Sequence, residues 1–344
     1  MFDTLKYNTI AYTTAGRRHL SLGKENEDNF SIYEDEKILV LAVADGCSDS
    51  PCAKAAADAT LKALIEFGRN TDIFEMQPKE VKSNVIRFID KYLLAEPYEY
   101  SLLACTCAAI VTNKISKKYC AISIGDCRAN VITTEKLEPK RLLIPVNILR
   151  NREYTVFANS SVAMNWMKVE SGSVSTNIAG YVLVTDGADR LCDFSGYEEL
   201  TKLSAACVLS KEYAQAALEN YIADSIAPST NDDITVVMAM RCDDRQITTT
   251  AQTKCNIDID VEEDDDSFVE DKVDEEQTDA DADSSDNKMP SLLTFLQIPR
   301  TAEELILAGY CTPSEVITYI FPLIKEGIVD YNDYRFTLSG GGAM

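Results

Sequence analysis

Acidic residues fall at the ends of apolar segments along this chain. Asp45-Gly46 closes LAVADG, Gly125-Asp126 closes AISIGD and Asp186-Gly187 closes YVLVTDG. Asp232-Asp233 opens NDDITVVMAM, and Glu27-Asp28 leads into Phe30-Ser31-Ile32. Carboxylates held at the ends of rigid strands can converge on one edge of a core, where cations must relieve their repulsion. Hard oxygen ligands without His or Cys select Mg²⁺ or Mn²⁺. A lone Asp-Gly after a strand is most often a turn. Acidic sites in register with one strand after another argue for chemistry instead. Zinc does not fit, because His19 is the only histidine and Cys105 and Cys107 are too close for CxxC spacing.

The elements that must position these acids are legible in outline. Lys37 to Ala44 (KILVLAVA) is an apolar run expected of a strand buried on both faces. Ser50-Pro51 offers an N-cap and first-turn proline for an Ala-rich helix ending near Gly68. Pro78 opens another helix, with Val81, Val85, Phe88, Ile89 and Tyr92 on one stripe. Further strands are expected at Ala108–Thr112, Tyr119–Ile124, Ala129–Thr133, Tyr181–Thr185 and Ile234–Met240, with helices over Glu198–Leu209 and Glu212–Ile226. Helices come in blocks rather than in strict alternation with strands. That favours packed sheets covered by helices over a doubly wound sheet.

Composition sets the domain plan. The net charge of −23 is concentrated in residues 255 to 287, which hold sixteen acids against Lys272 alone. The stretch 245–290 has few large apolar residues, so it reads as an extended acidic linker. It separates a long domain, 1–244, from a small one, 291–344. The chain of 344 residues has no apolar run near the roughly 18 residues of a membrane helix. Met1 to Ile10 lacks the pattern of a secretion signal. A cytoplasmic location is expected, with the eleven cysteines reduced and mostly packed as small hydrophobes.

Taken in order, NEDNF (26–30), VADG (43–46), ISIGDCRA (122–129), VTDG (184–187) and NDDITVV (231–237) resemble the motifs of PPM-type, or type 2C, metal-dependent serine/threonine protein phosphatases. The resemblance spans essentially residues 8 to 241. It implies an α+β fold, an αββα sandwich of two antiparallel sheets flanked by helices, with a two-metal site at one end. Carried over residue by residue, Asp45 would bridge the two metals and Gly46 would offer its carbonyl. Asp186 and Asp232 would complete the second metal's ligands. Glu27 would hold metal-bound water, with Asp28 and Asp233 in support, and Asp126 matches a third-metal ligand of some members. Asp45, Asp186 and Asp232 are thus the implied catalytic residues, and two or three Mg²⁺ or Mn²⁺ ions the implied cofactors. The implied reaction is hydrolysis of phosphoserine or phosphothreonine by an activated water, without a nucleophilic side chain.

The chain departs from that pattern in places. Gly23 stands near the position of the arginine that grips substrate phosphate, leaving Lys24, Arg17 and Arg18 as candidates. A lysine lacks the bidentate fork. Cys47-Ser48-Asp49 replaces a glycine pair, Cys47 stands where some members carry a general-acid histidine, and Asp233 replaces a common asparagine. His19 is expected at the surface, with a displaced general acid as the other reading. Pro139 to Gly172 lies where the family has a variable flap. Its Trp166 is either a structural aromatic or a partner contact.

In the last domain, Thr301 with Glu304 and Thr312 with Glu315 form capping boxes, and a hairpin is expected over Ile328–Tyr331 and Tyr334–Leu338. Helix, helix and hairpin resemble a minimal winged helix. Residues 291–338 carry a net charge of −3, which argues against nucleic acid and for docking to a protein partner. The expected substrate is a phosphorylated protein, a serine/threonine kinase or its targets. The readings that compete are a phosphatase-like module that binds a partner with little turnover, and a DNA-associated regulator acting through the tail.

Overall fold

A computed structural model describes residues 4–143, 155–193 and 196–255, and, further on, the strand segments 300–301, 329–332 and 335–338. The chain divides into two units, Met1–Glu262 and Glu263–Met344.

In the first unit, β-branched and apolar runs form two five-stranded sheets. One has the order β1 (Tyr7–Thr14), β10 (Ile234–Arg241), β9 (Ile178–Val184), β6 (Arg128–Thr133), β7 (Pro139–Leu143). The other has the order β2 (Asn29–Glu34), β3 (Ile38–Gly46), β4 (Cys105–Asn113), β5 (Lys118–Ile124), β8 (Lys168–Ser173). All the pairings are antiparallel. Alternate residues of the central strands face opposite layers. Leu39, Leu41 and Val43 pack between the sheets with Tyr181 and Val237. Two helices are short, α1 (Arg17–Leu22) and α4 (Ala163–Trp166). Val40, Ala42 and Ala44 pack outward under α2 (Ala53–Gly68) and α3 (Pro78–Leu93). On the other outer face, Val182, Val236 and Met238 lie under α5 (Tyr197–Leu209), α6 (Lys211–Tyr221) and α7 (Arg245–Cys255). The α+β class and the αββα sandwich are as expected, because strands buried on both faces need a helical layer on each side.

Several local expectations need correction. The Ala-rich helix begins at Ala53 rather than at Ser50-Pro51. The Ser50 hydroxyl instead bonds the Leu102 carbonyl, tying the loop after Asp45 to the 3-10 turn Tyr100–Leu102 that precedes β4. The segment Arg245–Cys255, read as the start of the linker, is helix α7, and its Ile247 and Ala251 are fully buried against the α5 layer. Tyr221 ends α6, and a π turn over Ile222–Ile226 completes the expected helix.

In the second unit, β12 (Val329–Asn332) and β13 (Arg335–Leu338) pair as the expected hairpin, with β11 (Arg300–Thr301) on the other edge of β13. The helices expected between Thr301 and Lys325, and hence the winged helix as a whole, lie outside the described residues. So does most of the expected acidic linker.

Candidate active site

The acids gather where strands of both sheets end. β3 delivers Asp45 and Gly46, the turn after β5 delivers Asp126, the 3-10 turn after β9 begins at Asp186, and Asp232 and Asp233 precede β10. Glu27 and Asp28 precede β2. Gly46 permits a close approach that no other residue would allow. A Cβ there would lie 2.7 Å from the Ala53 carbonyl oxygen and 2.8 Å from that of Glu27.

Electrostatics shows that these carboxylates converge. Burial pushes the Asp45 carboxyl well up, and the charges of Asp28, Asp186, Asp126 and Asp232 all push it further. Asp186 is raised to about 8 by burial and then by Asp232 and Asp126. Asp28 is raised to about 7, chiefly by burial, although the Thr185 hydroxyl donates to it at 2.6 Å and opposes the shift. Asp232 is raised as well, by burial first. Each ionised form is disfavoured by the others, and a cation would reverse that preference.

The site also holds buried oxygens without hydrogen-bond partners among the described residues: Asp126 Oδ1, Asp186 Oδ1 and Glu27 Oε2. Buried polar atoms are rarely orphaned unless a ligand or water completes them. Among the described residues no three Asp, Glu, His or Cys side chains are drawn tightly enough together to clasp an ion by themselves. Mg²⁺ does not need such a cage, since it keeps several waters and takes one or two carboxylates. The donor set therefore fits Mg²⁺ or Mn²⁺.

The expected phosphate-binding candidates separate. Arg17 is engaged by the Thr230 carbonyl at 3.2 Å and Asn231 Oδ1 at 3.3 Å. Arg18 is exposed, and its charge lowers the Asp232 carboxyl. Lys24 Nζ lies 3.4 Å from Glu27 Oε1 and 3.5 Å from the Ser48 carbonyl, partly exposed beside the Asp45 loop.

Four side chains at the site were not foreseen. His19 is not at the surface; it is 3% exposed. Its Nδ1 donates to Asp233, 2.8 Å from both oxygens. Thr185 joins the site's two sheets, its hydroxyl donating to Asp28 and accepting from the Thr235 amide at 3.0 Å. Arg128, within the ISIGDCRA motif, pairs with Asp189 at 2.5 Å and Asp193 at 2.7 Å, anchoring the turn that carries Asp186. The Thr155 hydroxyl donates to Asp126 Oδ2 at 2.9 Å, so the flap segment reaches the site.

The family model for protein phosphatase 2C matches residues 15–223. The chain belongs to the protein phosphatase 2C family. Solved structures share the phosphatase 2C fold at low identity. A C. elegans sex-determining protein is 15% identical, with 73% of this chain and 67% of that one covered and a TM-score of 0.54. A bacterial serine phosphatase is 14% identical, with 68% and 98% covered and a TM-score of 0.50. No curated protein sequence matches the chain. Among the described residues no helix is long and apolar enough to cross a membrane.

Proposed function

We propose that this phosphatase 2C chain hydrolyses phosphoserine and phosphothreonine in proteins with the help of two Mg²⁺ or Mn²⁺ ions. The observation that carries this is the convergence of Asp28, Asp186, Asp126 and Asp232 on buried Asp45 at one end of the sandwich, where the charges of all four push the Asp45 carboxyl up. Bound there, the cations supply a water of lowered pKa and offset charge on the phosphoryl oxygens. Asp45, the Gly46 carbonyl, Asp186 and Asp232 would hold the ions, with Asp126 available to a third. Asp28 braces Asp45 through a side-chain hydrogen bond and is itself fixed by Thr185.

Glu27 Oε2, which makes no hydrogen bond among the described residues, is available to accept from water in the site. Asp233 sets the backbone of Glu27, accepting from its amide at 2.6 Å. Lys24, exposed beside Glu27 and the loop after Asp45, takes the role of phosphate grip, as a point charge rather than a fork. A phosphoprotein substrate, a kinase or its target, suits a member of this family. The acidic C-terminal domain suits docking to a protein partner.

Calorimetric titration of metal-stripped protein with Mn²⁺ tests the ligand set. Binding that Asp186→Asn weakens by at least tenfold supports it. Wild-type protein that takes up no Mn²⁺ at millimolar concentration refutes it.

A further inference from the structure

The only histidine of the chain is buried between two carboxylates. His19 Nδ1 donates to Asp233 at 2.8 Å, while Nε2 lies 3.3 Å from Glu27 Oε2 and 3.4 Å from Ser48 Oγ. Asp233 in turn accepts from the amides of Gly16 at 2.7 Å and Glu27 at 2.6 Å. The ring therefore spans from the group that anchors the Glu27 backbone to the Glu27 carboxylate itself. Gly16 makes this possible, because a Cβ there would lie 2.2 Å from the Asp232 carbonyl oxygen.

The Glu27 contact is long, and Glu27 Oε2 forms no well-aligned hydrogen bond among the described residues. Such contacts at functional sites tighten when the site is loaded. A side chain whose two ends touch a site's acceptor and that acceptor's backbone anchor can do little but set its direction. Burial of 97% leaves the ring no route to solvent-facing chemistry.

We propose that His19 is a positioning residue that aims the Glu27 carboxylate into the site and thereby sets its affinity for cations. The inference rests on the two-cation reading above. Partners of this outer kind typically change metal affinity by about 10- to 100-fold when removed. The Ser48 hydroxyl, within reach of the same nitrogen, links the ring to the loop after Asp45.

Because the chain holds one histidine, ¹⁵N-histidine labelling of the full-length protein reports this ring alone. On titration of metal-free protein with Mg²⁺, the ring signals are expected to move with the midpoint seen by calorimetry. Glu27→Gln should abolish that movement, and His19→Gln should weaken Mg²⁺ binding about tenfold. Calorimetric binding with unmoved ring signals overturns the proposal. So does a folded His19→Gln that binds Mg²⁺ as the wild type does. If His19→Gln fails to fold, the wild-type ring titration decides alone. Absence of any Mg²⁺ binding by wild type instead overturns the two-cation reading, and this inference with it.

Discussion

Asp233 receives hydrogen bonds from the Gly16 amide, the Glu27 amide and His19 Nδ1, which belong to segments far from it in sequence. It is 3% exposed, so water cannot replace these partners. In Asp233→Asn one acceptor oxygen would face all three donors. The expected cost is about 2 kcal/mol, the scale of one hydrogen bond to a charged group, read as a shift of the urea midpoint. An unchanged midpoint would show that the knot is dispensable. Lys24→Ala addresses substrate instead. It should raise KM for a phosphopeptide roughly tenfold with kcat little changed, as loss of uniform binding does; equal loss in both would place Lys24 in the transition state. Asp45, Asp126, Asp186 and Asp232 were legible because each ends or opens an apolar run. His19 was not, because its partner Asp233 lies 214 residues away and no periodicity links them.

The longer helices pack through stripes that the sequence shows with varying clarity. Val81, Val85 and Ile89 repeat at helical spacing and are fully buried, so α3 was readable. α7 was not: Thr and Gln fill most of it, and only Ile247 and Ala251, one turn apart, face the core. Ile247→Ala should therefore destabilise the first unit by about 3 kcal/mol, as deletion of a buried Ile side chain does. Chemical unfolding would measure it, and a loss below the error of that method would return Arg245–Cys255 to the linker. The start of α2 was misplaced for a related reason. Ser50 bonds the carbonyl of Leu102, a partner that local capping rules cannot reveal.

Across the molecule, strand order is the property least visible in sequence. β1 pairs with β10, bringing Tyr7 opposite Arg241, and only the assembled sandwich sets that register. The same closure produces the site's charge balance. Asp28 and Asp186 have folded-state carboxyls raised to about 7 and about 8, above the unfolded range. The folded metal-free protein therefore binds more protons than the unfolded chain between about pH 4 and pH 8. Its stability from these groups is fullest below that window and is lost as pH rises through it. Millimolar Mg²⁺ should remove or reverse the slope, because the cation favours the ionised carboxylates. Thermal unfolding from pH 5 to 8.5, with and without Mg²⁺, checks both signs. A metal-free protein that grows more stable towards pH 8.5 would contradict the electrostatic account. The central claim is most directly tested by phosphate release from a phosphothreonine peptide, using metal-stripped protein with and without millimolar Mn²⁺, beside Asp45→Asn and Asp186→Asn. Release that requires Mn²⁺ and falls by a hundredfold or more in both variants is predicted. Mn²⁺ binding without any turnover by the wild type would contradict the claim and make this chain a phosphatase-like binding module.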